Sequence, residues 1–506
     1  FAWIGDPQLS PDGTQAVFVR ISPNEKKEGY DTSLWLVATA GGEAPHRLTS
    51  GNHDATPRWS PDGKSIAFVR ASEKDGKPEP GQLFMLPLSG GDAWQFTSLP
   101  KGATNPVWSP DGKTIAFTST SNPEDLAKAE KKNENGASPT PAAKPDGEHE
   151  SDVHVITRAV YRSNDEGYLD AKRPAHIWTI QAPRSADEKV QPKQLTSGRF
   201  REGDAMWSRD GAQLFFTSLH VDEPYYELPR TELYSLNASG GEPTKITTIP
   251  MGASDVALSP DGKQIAFVAA VDEPVNSYTQ PDLWVMDVAP NAQPRNLTAS
   301  FDFDITAPVF GDSAPPRAGG GTPVIWSGDG KSIYQIFSRQ GRTNLGRFDA
   351  TSGALTEVTK GDQCVFRFKA TPDGSKIVYE VSTPTRVNDL FVIDGNAAPR
   401  QLTDINRELF SQINLSEPEE IWYDSFDGKK IQAWVQKPPN FDAHKKYPLI
   451  LNIHGGPHAA YGWVFSHEFQ WMAAKGYVVL YPNPRGSTTY GQEFGNVIQY
   501  HYPGDD

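Results

Sequence analysis

The sequence predicts a seven-bladed β-propeller followed by an incomplete α/β domain. Three observations carry this: a Ser-Pro-Asp-Gly-like turn recurs seven times, two strand markers recur in step with it, and the pattern changes near residue 415. The turn glycines are Gly13, Gly63, Gly112, Gly211, Gly262, Gly330 and Gly374. Proline sets φ at the first central position, aspartate suits the second, and glycine closes the turn before the next strand. Short apolar runs follow the turns, such as Ile66–Val69 and Ile265–Val268, as expected of strands covered on both faces.

The second marker is a strand centred on a large apolar residue: Trp35, Phe84, Trp178, Tyr234, Trp284, Leu345 and Phe391. The third is an apolar residue followed by threonine, from Leu48-Thr49 through Leu402-Thr403. Four short strands in a unit of about 45 to 50 residues make a propeller blade, whose faces are buried only by stacking on neighbouring blades. Residues 1–414 are assigned to this ring. The interval from Gly112 to Gly211 is twice the usual one yet holds one set of markers, so the third blade is expected to carry an insertion at about 122–175. From Asn122 to Ser151 that insertion is polar and reads as a loop, and Pro315, Pro316 and Gly319–Gly321 mark a second excursion before Gly330.

Residues 415–506 follow another plan. Glu420–Tyr423 and Ile431–Val435 flank Asp427-Gly428 as a β-hairpin. A continuous apolar strand over Tyr447–Ile453 then leads into His454-Gly455-Gly456-Pro457, a helix over Ser466–Lys475 stopped by Gly476, and a strand over Tyr477–Tyr481. This order indicates an α/β unit with a parallel sheet. A glycine turn at the C-terminal end of a buried strand lies where such sheets place their ligands, and glycine lets a backbone N–H approach a ligand oxygen closely. In an α/β-hydrolase the corresponding loop supplies one oxyanion-hole donor; Pro457 has no N–H, so His454, Gly455 and Gly456 form the candidate oxyanion loop.

The turn His454–Pro457, with Asn483, Arg485-Gly486-Ser487 and Tyr490-Gly491 downstream, resembles the start of the catalytic domain in the prolyl oligopeptidase family, nearest its acylaminoacyl-peptidase and bacterial dipeptidyl-peptidase branch. The resemblance implies a serine peptidase whose propeller restricts an α/β-hydrolase site to short peptides. In that mechanism serine attacks the scissile carbonyl, histidine moves its proton, aspartate orients the histidine, and backbone amides hold the oxyanion. By resemblance the Gly456 N–H is one of those donors.

No Gly-x-Ser-x-Gly nucleophile elbow occurs in the chain. The order in this fold is Ser, Asp, His, so all three catalytic residues are expected beyond Asp506, and the polypeptide as given is expected to be an inactive fragment. Arg485 is a candidate contact for a substrate carbonyl or carboxylate, with an internal ion pair as its alternative. Asp165 and Glu166 are candidates for holding a substrate ammonium, with a solvated acidic turn as theirs.

Other function classes are excluded or left open by composition. A formal charge of −15 argues against nucleic-acid binding, which needs a cationic surface. No apolar run approaches the roughly 18 residues of a membrane span. A soluble protein is expected, cytoplasmic or periplasmic. The single cysteine, Cys364, gives no disulfide framework and reads as a small buried hydrophobe. The 11 histidines include no Cys/His cluster, and the one His-x-x-x-His spacing, His454 and His458, spans Gly-Gly-Pro rather than a helix, so neither metal nor organic cofactor is expected. A non-enzymatic propeller binding module and an esterase or amidase of the same fold are the competing readings. Homo-oligomerisation is left open by the sequence.

Overall fold

The computed structural model describes residues 1–504 except 75–76, 135–152, 154, 165–166, 204, 308 and 317–323. From Trp3 to Gln401 the described residues build five four-stranded sheets and one eight-stranded sheet, each laid down largely in chain order, and two two-stranded ribbons. All seven turn glycines adopt positive φ, from 67° at Gly374 to 72° at Gly262, where a β-carbon would be strained. The hydroxyl of the motif accounts for its first position. Ser10, Ser60, Ser109, Ser208, Ser259, Ser327 and Thr371 each donate to the aspartate two residues on, at 2.6–2.7 Å. These bonds hold the turn carboxyls below their usual range, Asp373 at about 2 with Thr371 as the leading cause.

The threonine marker also has a structural cause. Leu34, Leu83, Ile177, Leu283, Leu345 and Leu390 donate their amides to Thr49, Thr97, Thr196, Thr298, Thr359 and Thr403 Oγ1, at 2.8–3.0 Å. The threonine thus replaces the ladder bond where each short outer strand stops. In the fourth unit the outer strand is longer, Thr244–Ile249, and Thr247 Oγ1 has no partner.

Neighbouring sheets are joined by apolar packing and by tryptophans just before the turns. Trp59, Trp108, Trp207 and Trp326 each donate Nε1 to a carbonyl of the preceding sheet: Gln8, Arg58, Val107 and Ala257, at 3.0–3.1 Å. Ile4, Phe18 and Val37 pack against Val378, Leu390 and Val392, bringing the first sheet onto the last. Asn388 clamps that junction, donating Nδ2 to Ile4 O at 2.7 Å and accepting from Ile4 N at 3.1 Å. Cys364 is buried in the eight-stranded sheet, and burial pushes its thiol up to about 12.

The third-unit insertion departs from expectation. Pro123–Glu134 is a helix rather than loop. Its start was written in the sequence: Asn122 Oδ1 accepts from Asp125 N at 2.9 Å, Pro123 follows the cap, and Glu124 and Asp125 occupy the first turn. The polarity of this segment marks a solvated helix rather than a loop. Arg173 anchors the helix through Asp125, at 2.9 and 3.0 Å. Residues 135–151 of the expected loop, and Gly319–Gly321 of the second excursion, lie outside the described residues.

The terminal sheet has the order Pro418–Asp424, Lys430–Gln436, Val478–Pro482, Leu449–Leu451. The hairpin forms as expected, and Leu449–Leu451 runs parallel to Val478–Pro482. Lys430–Gln436 runs antiparallel to Val478–Pro482, so the sheet is mixed rather than parallel. The apolar strand differs from expectation in length and burial: it is the sheet edge, with Leu449 59%, Leu451 51% and Ile453 59% exposed. A continuous apolar run signals a strand covered on both faces, and the described residues do not supply that cover. Trp434 is the centre of this domain, fully buried against Tyr461, Phe469, Val479 and Tyr481. No helix among the described residues is long and apolar enough to cross a membrane.

The helix His467–Ala474 begins after Ser466, yet Ser466 makes no cap bond. Asp312 of the propeller caps it instead, accepting from His467 N and Glu468 N, each at 2.7 Å. The carboxylate satisfies two orphan amides and meets the positive end of the helix dipole. Asp312→Ala is therefore expected to cost about 1–2 kcal/mol, whereas Ser466→Ala is expected to cost little; urea denaturation of both variants measures the contrast.

Asp304 forms a second tie. Its carboxylate accepts from Thr489 N at 2.7 Å and bonds the Tyr278 hydroxyl, and burial raises it from 3.8 to about 7. A carboxyl with a raised folded pKa stays protonated while the unfolded chain ionises, so its contribution falls as pH rises from about 4 to 7. The stability of Asp304→Asn relative to wild type is expected to increase across that range, by at most about 1.4 kcal/mol per pH unit. Chemical denaturation at pH 4, 5.5 and 7 tests the slope, and a pH-independent difference contradicts it.

Candidate active site

The site is built where the edge strand ends. His454 is 7% exposed and its ring is held from several sides. Nε2 lies 3.2 Å from Asn483 Oδ1 and 3.1 Å from Ser487 Oγ. Asn483 cannot turn its amide round: Oδ1 accepts from Tyr461 N at 2.8 Å, while Nδ2 donates to Tyr461 O at 2.9 Å and Tyr490 Oη at 2.6 Å. Ser487 gives its proton to Pro484 O at 2.6 Å. Both neighbours of Nε2 are therefore acceptors, and Gly455 O, 3.1 Å from Nδ1, is another, so each ring nitrogen faces an acceptor. Burial is the leading cause that lowers the His454 pKa below 6.5. Phe310, from the propeller, and Tyr461 meet the ring edge-on at 5.9 and 4.9 Å.

These contacts fix the base of a loop whose tip is open. Gly455 and Gly456 are exposed, and the Gly456 amide has no acceptor among the described residues. Gly456 has φ +115°, a conformation that L side chains rarely adopt, although an added β-carbon meets nothing closer than Ala459 Cβ at 3.7 Å. Glycine is thus required here by backbone conformation rather than by space. A rigid base beneath an exposed, unpartnered amide is a preorganised donor for a developing negative charge.

The other candidates are placed differently. Arg485 is 7% exposed and turns into the domain: its guanidinium pairs with Asp427, donates to Ser425 Oγ at 2.9 Å, and lies 4.4 Å from the Phe426 ring centroid. The ion pair, first among the causes, lowers the Asp427 pKa. Of the two roles expected for Arg485, this geometry serves the internal one: it ties the loop after Val478–Pro482 to the hairpin turn. Asp165 and Glu166 lie outside the described residues. His458, which the sequence did not single out, links both parts of the chain: Nδ1 lies 2.9 Å from Gly486 O and Nε2 2.9 Å from Ser277 Oγ. Phe310 was missed as well, since no local signal marks a propeller residue as a neighbour of the glycine loop. Among the described residues no group of three or more His, Cys, Asp or Glu side chains is arranged to hold a metal ion.

A propeller set against an α/β sheet, with a glycine turn presenting a free amide at a strand end, defines the class of propeller-capped α/β hydrolases. Comparison with known proteins narrows the class. Residues 2–148 match the TolB beta propeller domain, and residues 463–506 match the prolyl oligopeptidase family. An uncharacterized peptidase, YuxL, of Bacillus subtilis is 31% identical over 506 residues, covering 99% of this chain and 72% of the relative. Dipeptidyl-peptidase 5 of Porphyromonas gingivalis is 25% identical, covering 99% of this chain and 69% of the relative. The uncomplexed acylaminoacyl peptidase of Pyrococcus horikoshii superposes with a TM-score of 0.72 at 21% identity, covering 100% of this chain and 68% of that one. The chain belongs to the prolyl oligopeptidase family, whose members are peptidases.

Proposed function

We propose that residues 1–506 supply the substrate-restricting propeller and the oxyanion-bearing part of a serine peptidase that hydrolyses short peptides by acyl transfer to water. In this reading the eight-stranded sheet counts as two blades, making seven in all, and the catalytic domain begins at residue 415. The observation that carries the proposal is the Gly456 amide, exposed and without an acceptor on a loop fixed by the buried His454–Asn483 pair. As peptide carbonyl carbon becomes tetrahedral, charge gathers on its oxygen; a donor already in place stabilises that charge without reorganising. The second amide comes from the residue after the nucleophilic serine. Dipeptidyl, acylaminoacyl and oligopeptide substrates all fit this chemistry, and the names of the relatives favour the first two.

None of the serines in residues 1–506 stands in a Gly-x-Ser-x-Gly elbow. A polypeptide of these residues is accordingly expected to leave dipeptidyl and acylaminoacyl anilides intact and to take up no fluorophosphonate label. Hydrolysis above background, abolished by a serine-directed inhibitor, would contradict this. A gene product that also carries the elbow is expected to be labelled, and absence of peptide hydrolysis by that product counts against the peptidase reading.

A further inference from the structure

Four strands in each propeller unit define two ends. The Ser-x-Asp-Gly turns occupy one end, and the connections between second and third strands occupy the other. The terminal domain sits on the second end. Tyr278 donates its amide to Asn496 Oδ1 at 2.9 Å, Trp463 donates to Gly341 O at 2.9 Å, and Phe465 donates to Ser382 Oγ at 3.1 Å. Tyr278, Gly341 and Ser382 all belong to or border second-to-third-strand connections. Residues 120–175 are the same connection in the third unit, and 219–230 in the fourth. The described part of the insertion therefore stands on the face that carries the candidate active site.

A cavity of about 470 Å³ lies between these two connections. Its walls include Ile156, Tyr161, Tyr168, Phe200 and Leu219, of which Ile156 is 52%, Tyr161 41% and Tyr168 50% exposed. Adjacent apolar side chains left this open mark a surface that binds something. The charges around it are unequally committed. Asp170 is taken by Arg173 and by Lys172 N, Asp222 by Arg199 at 2.8 Å, and Glu223 accepts from Ala159 N at 3.3 Å. Arg158 lines the same cavity, is exposed, and has no carboxylate within ion-pair distance among the described residues. In a chain of net charge −15 the cavity thus combines apolar walls with a guanidinium that has no carboxylate partner among the described residues.

We propose that this cavity is a subsite for a peptide that carries a bulky apolar side chain next to a carboxylate, the apolar group filling the space among Ile156, Tyr161 and Tyr168 and the carboxylate pairing with Arg158. The proposal rests on the peptidase reading for its choice of a peptide as ligand. Two parallel N–H···O bonds from a guanidinium suit a carboxylate, and the apolar walls strengthen them by excluding water.

The test is calorimetric titration of the 506-residue chain with acetyl-Phe-Asp-amide, acetyl-Phe-Asn-amide and acetyl-Ala-Asp-amide. The first is expected to bind at least about tenfold more tightly than either of the others. Arg158→Gln, an exposed substitution, is expected to abolish the preference for Asp over Asn while keeping that for Phe over Ala. Tyr161→Ala is expected to do the reverse. Equal binding of all three peptides, no binding of any, or an Asp preference that survives Arg158→Gln overturns the proposal. The two readings fail separately. Peptides hydrolysed by the elbow-bearing gene product but bound without these preferences refute the subsite alone. Peptides bound with them but never hydrolysed refute the peptidase reading alone.

Discussion

Gly341→Ala is expected to loosen the seating of the terminal domain on the propeller by about 3 kcal/mol or more. Gly341 is the tip of the hairpin between Ser332–Arg339 and Arg342–Asp349 and has φ +69°. A β-carbon there would stand 2.5 Å from Trp434 Cη2, 2.8 Å from Cζ2 and 3.0 Å from Tyr461 O. Neither neighbour can yield: Trp434 is fully buried at the centre of its sheet, and the Tyr461 backbone is held by Asn483. The same tip accepts from Trp463 N and donates from Gly341 N to Thr489 Oγ1 at 3.1 Å, so displacing it also breaks hydrogen bonds. Urea denaturation followed by tryptophan fluorescence reads the effect. A variant with an unchanged midpoint would mean that the hairpin does not bear on Trp434 in solution.

The second large effect is expected at Asn483. Its side chain is fully buried and makes bonds to His454, Tyr490 and both backbone groups of Tyr461. Asn483→Leu leaves the partners buried without it, and each unmet group costs about 1–3 kcal/mol. A total loss of about 3–5 kcal/mol is expected, with faster amide exchange at Tyr461, whose N–H bonds Asn483 Oδ1, than at Val479. Equal acceleration at both would reduce Asn483 to a general stabiliser. A milder variant, Asn483→Asp, keeps the acceptor for Tyr461 N but sets a second acceptor against Tyr461 O, and an intermediate loss is expected.

The propeller was legible because its signals are local and repeated. Positive φ at Gly13 or Gly262 follows from the turn in which each sits, and seven copies of one turn with two markers in step admit few other folds. The reason for Thr49 or Thr403 was not legible, since the amide that each threonine caps lies on a strand about 14 residues away in sequence. The insertion helix was missed although Asn122-Pro123 and two acids marked its start. There the cap residues outweigh the polar composition. Asp312 shows the opposite limit. Ser466 occupied the capping position by sequence, but the cap came from the propeller across 155 residues of chain.

The candidate site was half legible. His454, Gly455 and Gly456 followed from a strand ending in a glycine turn, and the structure gives them a buried base and an open tip. Arg485 lies on the loop after Val478–Pro482, and its ion-pair partner Asp427 lies on the hairpin, where no local signal in the sequence points to it. The burial of the strand leading to His454 was overestimated because an apolar run reports what a segment can bury, not what is present to cover it.

Gly456 is proposed to hold an amide ready for the oxyanion. The most direct test is kcat and KM for an acyl-peptide anilide, measured on the elbow-bearing gene product with and without Gly456→Ala. A β-carbon finds open space there but disfavours φ +115°, so it turns the amide without repacking the site. A fall of about 10²–10³ in kcat with little change in KM is the predicted result. Unchanged kcat in a variant shown to be folded would contradict the account.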